Sequence, residues 1–246
     1  MGEGRDPSRP LALEVCVDTP TGAAVAAAAG ADRVEICAAL ALGGLTPGPG
    51  LVAAAMAAPL PVHAMIRPRP GGFALADGDL PAMLADVAVM RNLGVAGVVI
   101  GAARPDGALD RDALARLIDA AGPLTVTLHR VFDTVPDPVE ALETAVDLGL
   151  ARILTSGGAA KAPDGADRIA RLARAADGRV EIMAGGGVTP DAVPRLVEAG
   201  VDALHASCAV TADGPDPFGF GHAARTDPAR VAALRTAMAE ALCASA

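Results

Sequence analysis

Two Glu-x-Cys pairs, Glu14/Cys16 and Glu35/Cys37, place a carboxylate and a thiol two residues apart. In an extended strand residues two apart share a face, so each pair aims both groups the same way. Further along come His63, Met65 and Arg67, then His129, Arg130 and Asp133, then Met183 and His205. Thiolate, thioether and imidazole together suit Cu(I), a soft ion, with Cys16 and Cys37 as its thiolate ligands. Glu14, Glu35, His129 and Asp133 are also candidates for moving protons, and Arg67 for holding an anion. Asp133 is close enough in sequence to orient His129. Zinc is disfavoured, since neither H-x-H nor HExxH occurs. Lys161 is the only lysine, and it lies too far beyond its strand for a Schiff-base assignment.

Two glycine-rich stretches suggest a separate anion site. Gly185-Gly186-Gly187 precedes Thr189 and Pro190, a good N-cap and first helical residue, although Asp191 at that helix start weakens it. Thr155, Ser156 and Gly157 end an earlier apolar run and offer additional donors.

These residues need a frame. The phrase Ala29-Gly30-Ala31-Asp32-Arg33-Val34 is echoed around Gly94, Gly149 and Gly200. Each glycine follows an amphipathic run and precedes an apolar one, as a helix does when it ends on glycine and turns into a strand. The copies lie roughly 50–65 residues apart, which fits two βα units per copy. The pattern predicts strands over 12–17, 33–37, 62–67, 97–101, 124–130, 152–156, 180–185 and 203–207. Helices are expected near 20–29, 47–57, 79–92, 110–121, 137–148, 164–176, 190–199 and 228–243. Strict alternation implies a parallel sheet. Eight units in 246 residues imply a closed (β/α)8 TIM-type barrel, one α/β domain over 11–246 behind a disordered lead-in at 1–10. An open doubly wound sheet is the competing architecture, but no GxGxxG follows the first strand.

The outer face of each strand must be apolar to meet helices. Glu14, Cys16 and Asp18 therefore face inward, with Glu35, Cys37, His63, Met65, Arg67, Thr125, Thr127, His129, Glu181, Met183, His205 and Ser207. Cys208 alternates outward. Buried carboxylates need partners, and Arg67 is the expected one for Glu14 and Glu35. A purely structural ion-pair network is the competing account of this polar lumen.

Hydrophobic residues make up 52% and aromatics 2%, so the core is built from Ala, Val, Leu, Ile and Met. A net charge of −9 argues against nucleic acid and anionic membrane as partners. The Ala23–Ala29 stretch is too short to span a bilayer, and no signal-peptide pattern opens the chain. Cys16, Cys37, Cys208 and Cys243 form no disulfide or CxxC framework, as expected of a cytoplasmic protein with free thiols.

The ordered set resembles the CutC copper-homeostasis family. It is carried by Leu13-Glu14-Val15-Cys16 with Asp18, Gly30 to Cys37, Gly43-Gly44-Leu45-Thr46-Pro47, His63 to Arg69, Thr127 to Asp133, Ile153 to Gly157, Ile182 to Val188 and His205-Ala206-Ser207. The resemblance spans roughly residues 11–210. It implies a cytoplasmic TIM-type barrel, often a homo-oligomer, associated with copper tolerance and copper binding; it implies no particular reaction. By position, Cys16 and Cys37 match cysteines common in the family. Glu14, Glu35, Arg67, His129, Arg130 and Asp133 match its polar barrel-end set. The chain departs from the family in the stretch Pro70 to Asp77, which lacks the usual Asp and Tyr. The alternative function is a barrel enzyme acting on a small anionic or phosphorylated metabolite.

Overall fold

The computed structural model describes residues 10–211 and 224–244. The lead-in expected at 1–10 thus lies outside the described residues, apart from Pro10. Eight parallel strands close into a barrel in chain order, β1 to β8, and β8 pairs back onto β1. That closure rules out the open sheet. The strands are β1 (Ala12–Val17), β2 (Arg33–Ile36), β3 (Val62–Met65), β4 (Gly97–Ile100), β5 (Thr125–Leu128), β6 (Arg152–Thr155), β7 (Glu181–Gly185) and β8 (Ala203–Ala206). The helices are α1 (Gly22–Ala28), α2 (Pro49–Ala55), α3 (Asp79–Leu93), α4 (Arg111–Ala121), α5 (Pro138–Asp147), α6 (Ala166–Ala176), α7 (Val193–Glu198) and α8 (Pro228–Ala244). Most strands stop one or two residues short of the sequence expectation, because the chain leaves the ladder at the barrel mouth.

The four repeated glycines explain the regularity. Gly30, Gly94, Gly149 and Gly200 have φ of +98°, +82°, +71° and +79°. A left-handed residue ends each helix and redirects the chain into the next strand, at little cost only for glycine. Side-chain caps start three of the helices: Asp110 accepts from the Ala113 amide, Asp137 from those of Val139 and Glu140, and Asp227 from that of Ala229. The helix expected at 190–199 is instead a 3-10 turn (Pro190–Ala192) followed by the six-residue α7. Thr189 is extended, and its side chain makes no capping bond.

Leu13, Val15, Val34, Ile36, Ile100, Leu128, Ile153, Ile182 and Leu204 are buried between barrel and helices as one continuous core. The opposite faces of the strands fill the lumen. A short antiparallel pair, β9 (Ala209–Thr211) with β10 (Ala224–Thr226), stands beyond β8 at the mouth, where the sequence pattern predicted no strand. Among the described residues no helix is long and apolar enough to cross a membrane.

Candidate functional site

The lower lumen is a charged circuit. Glu14 is completely buried (0% exposed) and accepts from Arg33 Nε at 2.7 Å. His205 Nδ1 lies 2.8 Å from its Oε1, and His63 Nδ1 lies 3.3 Å from its Oε2. Arg33 also bonds Glu181. Arg152 closes the circuit, 3.1 Å from Glu181 and donating to Thr127 Oγ1 at 3.0 Å. Burial alone would lift the Glu14 carboxyl, but bonds from His205 and His63 and the charge of Arg33 hold it well below its ordinary range. Burial likewise opposes charge on Arg33, and Glu14 and Glu181 more than offset it.

Arg33 therefore does for Glu14 what was expected of Arg67, Arg152 pairs with Glu181, and no arginine among the described residues bonds Glu35. Arg33 and Arg152 begin their strands on the inward parity, Arg33 with Glu35 and Arg152 with Leu154, so alternation alone could have found them. Arg67 stands two residues beyond β3 and does not reach the carboxylates. Its guanidinium donates to the carbonyls of Leu42, Gly44 and Gly71 at 2.8–3.1 Å and lies over the Phe73 ring.

Above the floor, ligand atoms of Cys16, Glu35 and His205 lie within 4.8 Å of one another, and all three residues are buried. Strand register explains the grouping. Cys16 pairs with Glu35 across β1–β2, and Glu14, two residues before Cys16, pairs with His205 across β1–β8. His205 Nε2 is 3.7 Å from Glu35 Oε2. Glu35 Oε1 is buried with no hydrogen-bond partner. Burial opposes charge on His205, yet Cys16, Glu14 and Glu35 together raise its pKa well above the usual imidazole value. Burial, then the nearby Glu14 charge, pushes the Glu35 carboxyl up.

Cys37 is not a member of that group. Its thiol donates to Glu35 Oε2 at 3.3 Å and packs with Met65 and Val99. Burial, reinforced by Glu35 and Cys16, pushes this thiol well above its ordinary range. Cys208, expected on the outer face, belongs to the continuous core between barrel and helices. It is buried beyond β8 with φ +49°, and burial raises its thiol to about 11. It lines the mouth cavity with Cys16. Asp18 lines the same cavity and accepts from the Leu40 amide.

Across the mouth, His129 is buried, and burial followed by the Arg67 charge lowers its pKa to about 3. Its Nδ1 accepts the Val131 amide at 3.0 Å, so the neutral ring carries its proton on Nε2. The ring lies flat on Gly101, where an added Cβ would stand 2.1 Å from Cε1. A ring with its lone pair so engaged is a hydrogen-bond donor rather than a base.

Asp133 does not orient His129. It accepts from Thr155 Oγ1 at 2.6 Å, from the Ser156 amide and hydroxyl, from the Gly158 amide and from Arg130 Nε. The Gly157 amide donates to Thr155 Oγ1. Asp133 thus occupies, as an internal anion, the place where Thr155, Ser156 and Gly157 were expected to receive a ligand. Gly185 ends β7 on the lumen side, with Leu154 and His205 against it, and Gly186 and Gly187 line the mouth. The cavity above these groups measures about 1270 Å³.

A profile of the CutC family matches residues 11–210. The chain belongs to the CutC family. A CutC family protein of Caulobacter vibrioides is 54% identical over 206 residues, covering 83% of this chain and 84% of that one. The human copper homeostasis protein cutC homolog is 41% identical over 208 residues, covering 84% and 76%. A crystal structure of CutC from Streptococcus agalactiae superposes with a TM-score of 0.76 at 30% identity, covering 80% of this chain and 99% of that one.

Proposed function

We propose that this CutC-family chain takes part in copper homeostasis by binding Cu(I) at the lumen group of Cys16, Glu35 and His205. The observation that carries this reading is the convergence of three buried ligand atoms within 4.8 Å, one of them from Glu35, a carboxylate that has an oxygen without a hydrogen-bond partner. A thiolate and an imidazole suit Cu(I), and such an ion removes the cost of an orphaned carboxylate oxygen. Cys37 contributes through its bond to Glu35 and as a neighbouring soft donor. His205 must give up a proton to ligate, so binding releases protons and strengthens as pH rises. Glu14 holds the other ring nitrogen and so fixes the orientation of the ring for ligation through Nε2.

A cytoplasmic location belongs to the same proposal, supported by four cysteines that are all free. So does assembly into a homo-oligomer, which rests on the family resemblance and is read by sedimentation.

The test is anaerobic titration with Cu(I) against a competing chelator. Wild type is expected to retain copper, Cys16→Ser to lose most of it, and Cys37→Ser to weaken it less. Unchanged retention in the Cys16→Ser/Cys37→Ser double variant rejects the assignment.

A further inference from the structure

A thiol, an imidazole and a buried carboxylate stand in sequence at the base of the mouth cavity. Glu14 pairs with His205 across β1–β8, and Cys16 follows Glu14 by two residues on the same inward face. Glu14 Oε1 lies 2.8 Å from His205 Nδ1, and a His205 ring nitrogen lies within 4.8 Å of Cys16 Sγ. Arg33 pins the same carboxylate from its other oxygen at 2.7 Å, so the ring is held from behind. A thiol beside an imidazole that a third group orients is the arrangement by which a cysteine becomes a nucleophile.

Only one of the two Glu-x-Cys pairs has it. Cys37 is completely buried, and its thiol meets Glu35 Oε2, Met65 and Val99. Cys16 lines the mouth cavity, within reach of a small molecule.

The remaining groups select the reagent. Asp18 and Glu35 line the same cavity as Cys16. Arg67 is held on three loop carbonyls, and Arg130 on Asp133, Ser156 and Ala159. Carboxylates therefore stand near the thiol with no uncommitted guanidinium beside it, which disfavours an anionic reagent. Glu35 Oε1 is buried without a hydrogen-bond partner, an acceptor open to a hydroxyl group. The site suits an uncharged compound that gains a hydroxyl as it reacts.

We propose that Cys16 captures small neutral aldehydes as hemithioacetals. Sγ bonds to the carbonyl carbon, and the carbon–oxygen double bond opens. The thiol proton passes by way of His205 to the carbonyl oxygen, which becomes a hydroxyl and donates to Glu35 Oε1. Nothing leaves, no electrons are exchanged with a third party, and the step reverses when the proton returns to sulfur. Cys16, Glu35 and His205 are shared with the copper reading, but the capture needs no metal and does not rest on it.

NMR of copper-free protein with acetaldehyde labelled with 13C at its carbonyl tests it. A tetrahedral adduct carbon is expected in wild type and not in Cys16→Ser. Glyoxylate, an anionic aldehyde, is expected to be captured less, and tighter capture of it overturns the assignment to neutral aldehydes. Iodoacetamide labelling read by peptide mass spectrometry ranks the thiols of the same preparation. Cys16, only 8% exposed, is expected to label at least as fast as the exposed Cys243 and to be protected by acetaldehyde. In His205→Gln its labelling should slow about tenfold or more with Cys243 unchanged. Absence of an adduct in wild type, an adduct that persists in Cys16→Ser, or labelling slower than that of Cys243 overturns the proposal. If His205→Gln does not fold, the wild-type protection and the Cys16→Ser comparison decide. Cu(I) retention is measured separately, and a chain that keeps copper yet forms no adduct loses this inference alone.

Discussion

Replacing Glu14 by Gln puts the charged floor to a quantitative test. The carboxylate is fully buried and serves Arg33 at 2.7 Å, His205 at 2.8 Å and His63 at 3.3 Å. Glutamine keeps the shape and one acceptor oxygen. It removes the charge and turns an N–H2 toward groups that are themselves donors. Arg33 keeps Glu181, and His205 keeps Glu35 at 3.7 Å, so neither cation is wholly orphaned. Breaking one side of a buried ion pair costs about 3–5 kcal/mol. For a chain of this length that lowers the melting temperature by about 10 °C.

The pH dependence carries a sign. The folded pKa of Glu14 lies below its ordinary 4.5, so its contribution is present above 4.5 and is lost as pH falls through the folded value. The deficit of Glu14→Gln therefore shrinks in acid. The folded pKa of His205 lies above 6.5, so its contribution is complete below 6.5 and is lost as pH rises through the folded value. In Glu14→Gln that folded value drops, and the alkaline loss begins earlier. Urea unfolding from pH 3 to 9, with the His205 ring followed by NMR, reads both limbs. A deficit under about 1 kcal/mol at neutral pH would refute the claim that Glu14 is the hub of a buried ion network.

Other positions give sharp outcomes. His129 folds neutral with a pKa of about 3 against an ordinary 6.5, so its contribution is present above 6.5 and falls as pH drops toward 3. His129→Asn should remove up to about 1.4 kcal/mol of that slope per pH unit, and urea unfolding curves that stay parallel to wild type between pH 6.5 and 5 would contradict it. Gly101→Ala should cost about 3 kcal/mol or more by driving a methyl into the His129 ring, and a melting temperature equal to wild type would count against the packing described. Asp133→Asn should cost about 2–4 kcal/mol and speed amide exchange selectively at Ser156 and Gly158. Uniform exchange across the barrel would instead mean that Asp133 has no local role.

The barrel was legible because its signals are periodic. The Gly30, Gly94, Gly149 and Gly200 phrases mark helix ends through a backbone requirement that no other residue meets as easily. Alternation worked wherever the strand was straight: an apolar partner face left Glu14, Cys16, Glu35 and His205 nowhere but the lumen. It failed where the chain stopped being a strand. Arg67 keeps the right parity two residues past β3, yet loop carbonyls capture it. Asp133 gathers donors from residues 22–25 positions away, a tertiary fact with no local signature. Arg33 and Arg152 are different: their parity was readable, but opening a strand at the barrel floor looks, in sequence, like a surface position.

The distribution of unsatisfied atoms separates scaffold from site. At the floor, Glu14, Glu181, Arg33, Arg152 and Thr127 satisfy one another, and even Arg152 Nε, which lacks a well-angled hydrogen bond, lies 3.1 Å from a carboxylate oxygen. Toward the C-terminal ends of the strands the pairing runs out: Glu35 Oε1 and Arg67 Nε are buried without partners. A native chain tolerates such atoms where something else is to meet them. The two orphans differ in sign, an acceptor beside Cys16 and His205 and a donor beside His129. The cation proposed for the lumen would meet the first of them. A circuit that closes below and opens above with both signs is a scaffold beneath a working mouth, the end of this fold where sites are built.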